Sequence, residues 1–311
     1  AGSTATLDAG YRVVSWTDAS GNVVGSGNAF TPSRGSDGLW HAGTYTANIE
    51  PIRYRIAYDA NGGTDWMGDT LMTYDEAENL TPNYFTRTGY TFQGWATEED
   101  GAVVYTDQQE VVNLTAEHDT TVTLYAVWKP ITYTVVFESG ADDATGATES
   151  MTMTYDEWDT LTKNGFAYEG HRFSSWVLGD GTDSRRAYAD EADVRNLTTV
   201  DGDTVTLTAQ WTVLSNRVTF VDHDGDVLGT ELVEWGDDAT APEDPSRVGH
   251  TFIGWDKDYT DVKEPVTVTA QYRAHAYEVA FDANGGEGHM DNQWMTYGEA
   301  EALDANGFTN A

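Results

Sequence analysis

Apolar residues recur along this chain with a period of two, and they do so in short bursts that repeat. In Tyr54-Arg55-Ile56-Ala57-Tyr58-Asp59 the large side chains fall at alternate positions, which predicts a strand with one buried face. Tyr133-Thr134-Val135-Val136-Phe137-Glu138, Asn216-Arg217-Val218-Thr219-Phe220-Val221 and Tyr277-Glu278-Val279-Ala280-Phe281-Asp282 line up with it without gaps. A closing strand shows the same alternation: Val205, Leu207, Ala209 and Trp211 face one way and threonines and Gln210 the other, with counterparts at Val122 to Trp128 and Val266 to Tyr272. Residues 43–49 resemble a worn copy of the closing strand.

Between these strands lies a third recurring segment, Gly10 to Trp16, Gly89 to Trp95, Gly170 to Trp176 and Gly249 to Trp255. Agreement at three places in a fixed order marks tandem repeats. After the opening strand, Asn61-Gly62 and Asn284-Gly285 suit two residues of positive φ and predict hairpin turns. A second strand ends at Thr73-Tyr74, Thr154-Tyr155 and Thr296-Tyr297. Asp75 followed by Glu78 fits a helix N-cap and its capping-box partner, so a short helix is expected, ending near Leu80. The expected fold class is therefore α+β and strand-rich, a series of small β-grasp units.

Opening strands start at 54, 133, 216 and 277, which makes the units 79, 83 and 61 residues long. The expected division is 1–51, the second half of a degenerate repeat; 52–130 and 131–213, whole repeats; 214–274, a short repeat; and 275–311, the first half of a repeat. The short repeat lacks about sixteen residues between its Trp255 and its closing strand, so that stretch is expected to be a surface excursion outside the core. The halves at the two ends are complementary. Either the chain is a window from a longer array, or the end of one copy supplies the hairpin that the start of the next lacks.

The string Tyr-x-Val-x-Phe-Asp-Ala-Asn-Gly-Gly at Tyr277 to Gly286, Tyr-Gly-Glu-Ala at Tyr297 to Ala300, Gly89 to Trp95, Asn113-Leu114-Thr115 and Ala126 to Trp128 resembles the Listeria–Bacteroides repeat, also called the internalin B-type repeat. The resemblance runs from Ile52 onward. It implies ubiquitin-like β-grasp domains in an elongated tandem array on secreted or wall-attached bacterial proteins. It implies no active site, so no catalytic residue carries over.

Charge narrows the partners. With 16 Lys and Arg against 52 Asp and Glu the net charge is −36, which repels nucleic acid and anionic lipid heads. Aromatics at 12% set it apart from a disordered acidic tail. There is no cysteine, which excludes thiolate chemistry, disulfides and Cys-type zinc sites. No apolar run is long enough to span a membrane, so no insertion is expected in this segment.

Few residues offer chemistry. Asp222-His223-Asp224-Gly225-Asp226 begins like a calcium loop, but Val227 and Val233 stand where the Gly and Glu are needed, so a solvated acidic turn is the better reading. No cofactor is expected, calcium being the one weak exception. The seven histidines share no ligand or triad spacing, and the expectation is that the chain is not an enzyme. Trp95, Trp128, Trp176, Trp211 and Trp255 recur at repeat positions and read as core. Trp66, Trp158, Trp235 and Trp294 are less regular and are the candidates for contact with a ligand, or for packing between neighbouring units.

The expected function is a non-catalytic stalk or spacer in an adhesin-like protein, extracellular, on the surface or cell wall of a bacterium. Its partners would be neighbouring repeats or copies of the same protein. Two alternatives stand beside it: a self-assembling filament subunit, and repeats that themselves bind a host surface protein or glycan.

Overall fold

In the computed structural model, which describes residues 2–181 and 186–310, the alternating segments are strands as expected, but the helix is absent. No α-helix occurs among the described residues, so the α+β class is corrected to all-β. The reason is visible at Asp75. Its φ of 64° is left-handed, where an N-cap must be extended, and its carboxylate is engaged elsewhere. Glu78–Asn79 then forms a short strand against Glu110–Val111. Ala1 and Ala311, the outer ends of the two half-units, lie outside the described residues.

By packing, the chain divides into two compact units. One comprises Ala1–Val136, Ser150–Leu161 and Ala192–Val205; the other comprises Phe137–Glu149, Thr162–Glu191 and Thr206–Ala311.

In the first unit, residues 2–51 form a three-stranded sheet with Tyr11–Thr17 between Val23–Gly25 and Thr46–Pro51. Val13, Trp16 and Phe30 close a small core on it, the last two rings stacked at 5.3 Å. The repeat that follows is a four-stranded sheet in the order Thr70–Thr73, Arg53–Asp59, Thr121–Pro130, Tyr90–Ala96. Its two central strands are parallel, Ile56 opposite Val122. Parallel neighbours need a long crossover, usually helical; here extended segments and turns serve instead. Tyr54, Ile56, Met72, Leu80, Trp95 and Leu124 fill the core, and Trp95 is fully buried between Tyr58 and Phe92 at 4.9 and 5.0 Å. The unit also holds the pairing of residues 132–135 with Met151–Thr154.

In the second unit, His171–Leu178 pairs antiparallel with residues 207–213, and Trp176 is buried against Phe137 and Phe173. The short repeat keeps the four-strand order: Val227–Glu234, Ser215–Val221, Val266–Ala274, His250–Trp255. Val218, Phe220, Val233, Val262 and Val268 make its core. The last hairpin, Ala276–Val279 with Gln293–Thr296, has no buried core among the described residues.

Two further expectations change. Asn61 and Gly62 do have positive φ, 46° and 83°, but the second strand starts only at Thr70, so the turn opens a longer loop and not a tight hairpin. The Asn61 amide donates to Glu99 O at 2.7 Å and Ala126 O at 3.0 Å, tying that loop to the closing strand. The stretch missing from the short repeat is not purely peripheral either. In the longer repeat it supplies buried Val111 and the bridge between Trp95 and Tyr105. Without it, Trp255 is only half-buried where Trp95 and Trp176 are fully enclosed.

Candidate functional site

The feature built with most care is the join between one repeat and the next. It occurs four times, each time with one glycine, one bridging residue and one aromatic ring. At the first join Ile52 N–H donates to Gly10 O at 2.8 Å, and Ile52 O accepts from Tyr74 N–H at 3.0 Å. Ile131 does the same between Gly89 and Tyr155, Leu214 between Gly170 and Trp235, and His275 between Gly249 and Tyr297. The four glycines have φ between 71° and 82°, and a Cβ on any of them would overlap the ring of the partner aromatic. Two demands, left-handed backbone and close ring approach, thus fall on the same residue. That explains the invariant Gly at the head of each Gly-to-Trp segment.

A polar clasp strengthens the first two joins. Tyr11 Oη donates to Asp75 Oδ2 at 2.8 Å, and Asn113 Nδ2 donates to Asp75 Oδ1 at 2.8 Å. The Asp75 N–H returns a bond to Asn113 Oδ1 at 2.7 Å. Tyr90, Asp156 and Asn196 repeat the arrangement at 2.9, 2.9 and 2.7 Å. The following leucine is held as well: Leu114 N–H donates to Tyr54 Oη at 3.1 Å, and Leu197 N–H to Tyr133 Oη at 3.2 Å. Hydrogen bonds from Asn113, then from Tyr11, hold the Asp75 carboxyl below the usual carboxylate range; Asn196 and then Tyr90 do so for Asp156. The same bonds push the Tyr11 and Tyr90 phenols up.

The last two joins lack the clasp. Gly236 and Gly298 stand in place of the aspartates, with φ of 84° and 80°, and His171 and His250 replace the tyrosines. His171 stacks on Tyr168 at 3.8 Å, whereas His250 lies edge-on to Tyr297 at 5.9 Å. The bridging residue changes too. Ile52 and Ile131 are buried, but Leu214 and His275 are exposed.

The candidate tryptophans divide. Trp66, Trp294 and Trp158 are 82%, 64% and 63% exposed, and Arg195 lies over the Trp158 ring at 4.6 Å. Trp235 is half-buried and is the aromatic of the third join, seated on Gly170. No ring contact links Trp66 to Trp158, or Trp235 to Trp294, among the described residues. Of the recurring tryptophans, Trp128 and Trp211 cap the core edge, donating to Ala60 O at 2.8 Å and Ser139 O at 2.7 Å.

Asp222, His223 and Asp224 bring possible ligand atoms within 4.8 Å of one another, in an exposed turn closed by Asp222 N–H to Asp226 O. Asp222 accepts from Tyr272 Oη at 2.7 Å, which lowers its pKa; burial, then this bond, pushes the Tyr272 phenol up to about 12. This is the chemistry of a tied-down turn.

The join residues were legible as repeats but not as a site. Asp75 reads as a helix cap until the strands bring it against Asn113, as they bring Asp156 against Asn196. The available signal was their recurrence at fixed offsets from Thr-Tyr and before Leu-Thr.

The chain is similar to known proteins. The chain is 26% identical over 300 residues to a protein of Evansella cellulosilytica provisionally described as a Gly-rich membrane protein; the match covers 89% of this chain and 32% of the relative. A second protein of that organism, provisionally described as a membrane protein, is 27% identical over 285 residues, covering 86% and 40%. The chain thus spans about a third to two fifths of the length of these relatives. A solved structure, the Bacillus anthracis TIE protein, aligns over 88% of this chain and 68% of its own at 8% identity and a TM-score of 0.28, too loose a likeness to carry the fold. No helix among the described residues is long and apolar enough to cross a membrane. The family model of the Listeria-Bacteroides repeat domain matches residues 54–127 and 217–274, and these two segments are repeats of that family.

Proposed function

We infer that this segment is a non-catalytic spacer of a bacterial cell-surface or secreted protein, in which repeats of the Listeria-Bacteroides family are joined end to end to hold other domains at a distance. The observation that carries this reading is the recurrent join. One backbone bridge and one Gly–aromatic seat fasten one repeat to the next at each of the four joins. A large net negative charge suits the role, since it keeps a long exposed chain soluble and discourages lateral association.

The test is to display a binding domain at the end of this chain on a bacterial surface and delete residues 52–130. The spacer reading expects the domain to sit closer to the surface with its affinity unchanged. An unchanged height would overturn it.

Exposure of Trp66, Trp158 and Trp294 favours a second reading, direct contact with a host protein or glycan. Under that reading the isolated chain is retained on host cells or a glycan array, and changing these three to Ala abolishes retention.

A further inference from the structure

We propose that the first two joins are sites of oxidative tyrosine cross-linking, which would staple successive repeats covalently in a chain that has no cysteine. Three observations converge there. First, Tyr11 and Tyr74 meet edge to face with centroids 6.1 Å apart and planes at 69°, and Tyr90 and Tyr155 repeat this at 6.0 Å and 71°. Each pair joins residues of successive repeats. Second, the Tyr11 and Tyr90 phenols donate to carboxylates, Asp75 at 2.8 Å and Asp156 at 2.9 Å, which can accept the proton as an electron leaves. Third, both bonds lie at the exposed side of the join, within reach of a diffusing oxidant.

The chemistry balances as follows. A one-electron oxidant of the haem-peroxidase class, driven by hydrogen peroxide, takes one electron from each phenol of the pair. Each phenol loses its proton, that of Tyr11 to Asp75, and becomes a phenoxyl radical. The radicals couple through one ring carbon each, ortho to oxygen, and the two ring hydrogens at those carbons shift to the oxygens as aromaticity returns. One carbon–carbon bond forms, the pair loses two protons and two electrons, and one peroxide becomes two waters. Coupling requires one ring to turn about its Cβ–Cγ bond until the two ortho carbons meet. The third and fourth joins cannot follow, because Trp235 faces Gly170-His171 and Tyr297 faces His250.

The proposal rests on join geometry and not on the spacer reading, so either can fail alone. The experiment treats the dilute, folded chain with hydrogen peroxide and a haem peroxidase, then maps peptides by mass spectrometry. Expected are intramolecular cross-links Tyr11–Tyr74 and Tyr90–Tyr155, each lighter by two hydrogens. Tyr74→Phe should abolish the first while leaving the second, and Asp75→Asn should lower the first several-fold. Urea-unfolded chain should lose the selectivity. Cross-links spread over exposed tyrosines such as Tyr84, products only between molecules, or no product at the joins would overturn it.

Discussion

Gly89 shows how tightly a single position is specified. Its φ of 77° belongs to the left-handed region, and the Tyr155 ring occupies the space a side chain would need. Gly202 has a similar φ of 71° but nothing near its missing Cβ. Gly202→Ala should therefore cost only the backbone term, roughly 1–2 kcal/mol. Gly89→Ala should cost clearly more, about 3 kcal/mol or above, because the ring must also move. Urea denaturation of the two variants separates these contributions.

Asp75 and Asp156 give a second residue-scale prediction. Their folded-state pKa values are depressed, so the stabilisation from their bonds is present above the ordinary carboxylate range and is lost as pH falls through the depressed values. Asn113→Ala should accordingly destabilise the chain at neutral pH, with the difference from the parent shrinking in acid. Carboxyl titration by NMR should show the Asp75 pKa rising in that variant.

At the scale of elements, the opening and closing strands were legible because alternation of large apolar and polar residues survives whatever surrounds it, whereas Val227–Glu234, mostly exposed, carries no such signal. The opening strand Arg53–Asp59 buries Tyr54, Ile56 and Tyr58 as its pattern demands. The helix was misread because Asp-x-x-Glu serves two masters. An aspartate can cap a helix, or it can sit at positive φ and bond a distant asparagine, and local sequence does not distinguish them. Comparison of the repeats does: Asp75, Asp156, Gly236 and Gly298 share the position, and all four have positive φ. The joins were hidden for a related reason. Their partners lie 64 and 66 residues apart for Tyr11–Asp75 and Tyr90–Asp156, beyond any local pattern. Among the less regular tryptophans, Trp235 takes the place of the join aromatic, held elsewhere by Tyr74, Tyr155 and Tyr297, and so packs between neighbouring repeats. Deletion of a segment in one repeat was likewise a poor guide to its packing in another. Val111 is 5% exposed, and Val111→Ala should cost about 2 kcal/mol in thermal or urea unfolding even though the short repeat lacks its segment.

For the whole molecule, a net charge of −36 makes self-repulsion a destabilising term that salt removes. Raising sodium chloride from low ionic strength should raise the melting temperature, contrary to what salt-bridge stabilisation would give. Among the described residues the Arg and Lys ion pairs are exposed, such as Arg12–Glu50 at 2.8 Å, and contribute little favourable electrostatics for salt to screen.

If the whole repeats fold as separate modules, they make a further claim about mechanics. Stretching the chain between its ends in a single-molecule force experiment should release the whole repeats one at a time. Starts of the opening strands at 54, 133, 216 and 277 set steps of 79, 83 and 61 residues. At about 3.5 Å per residue these are gains of roughly 28, 29 and 21 nm. Three discrete events in that proportion are the predicted record. A single event that releases the chain at once, or smooth extension with no steps, would contradict the account.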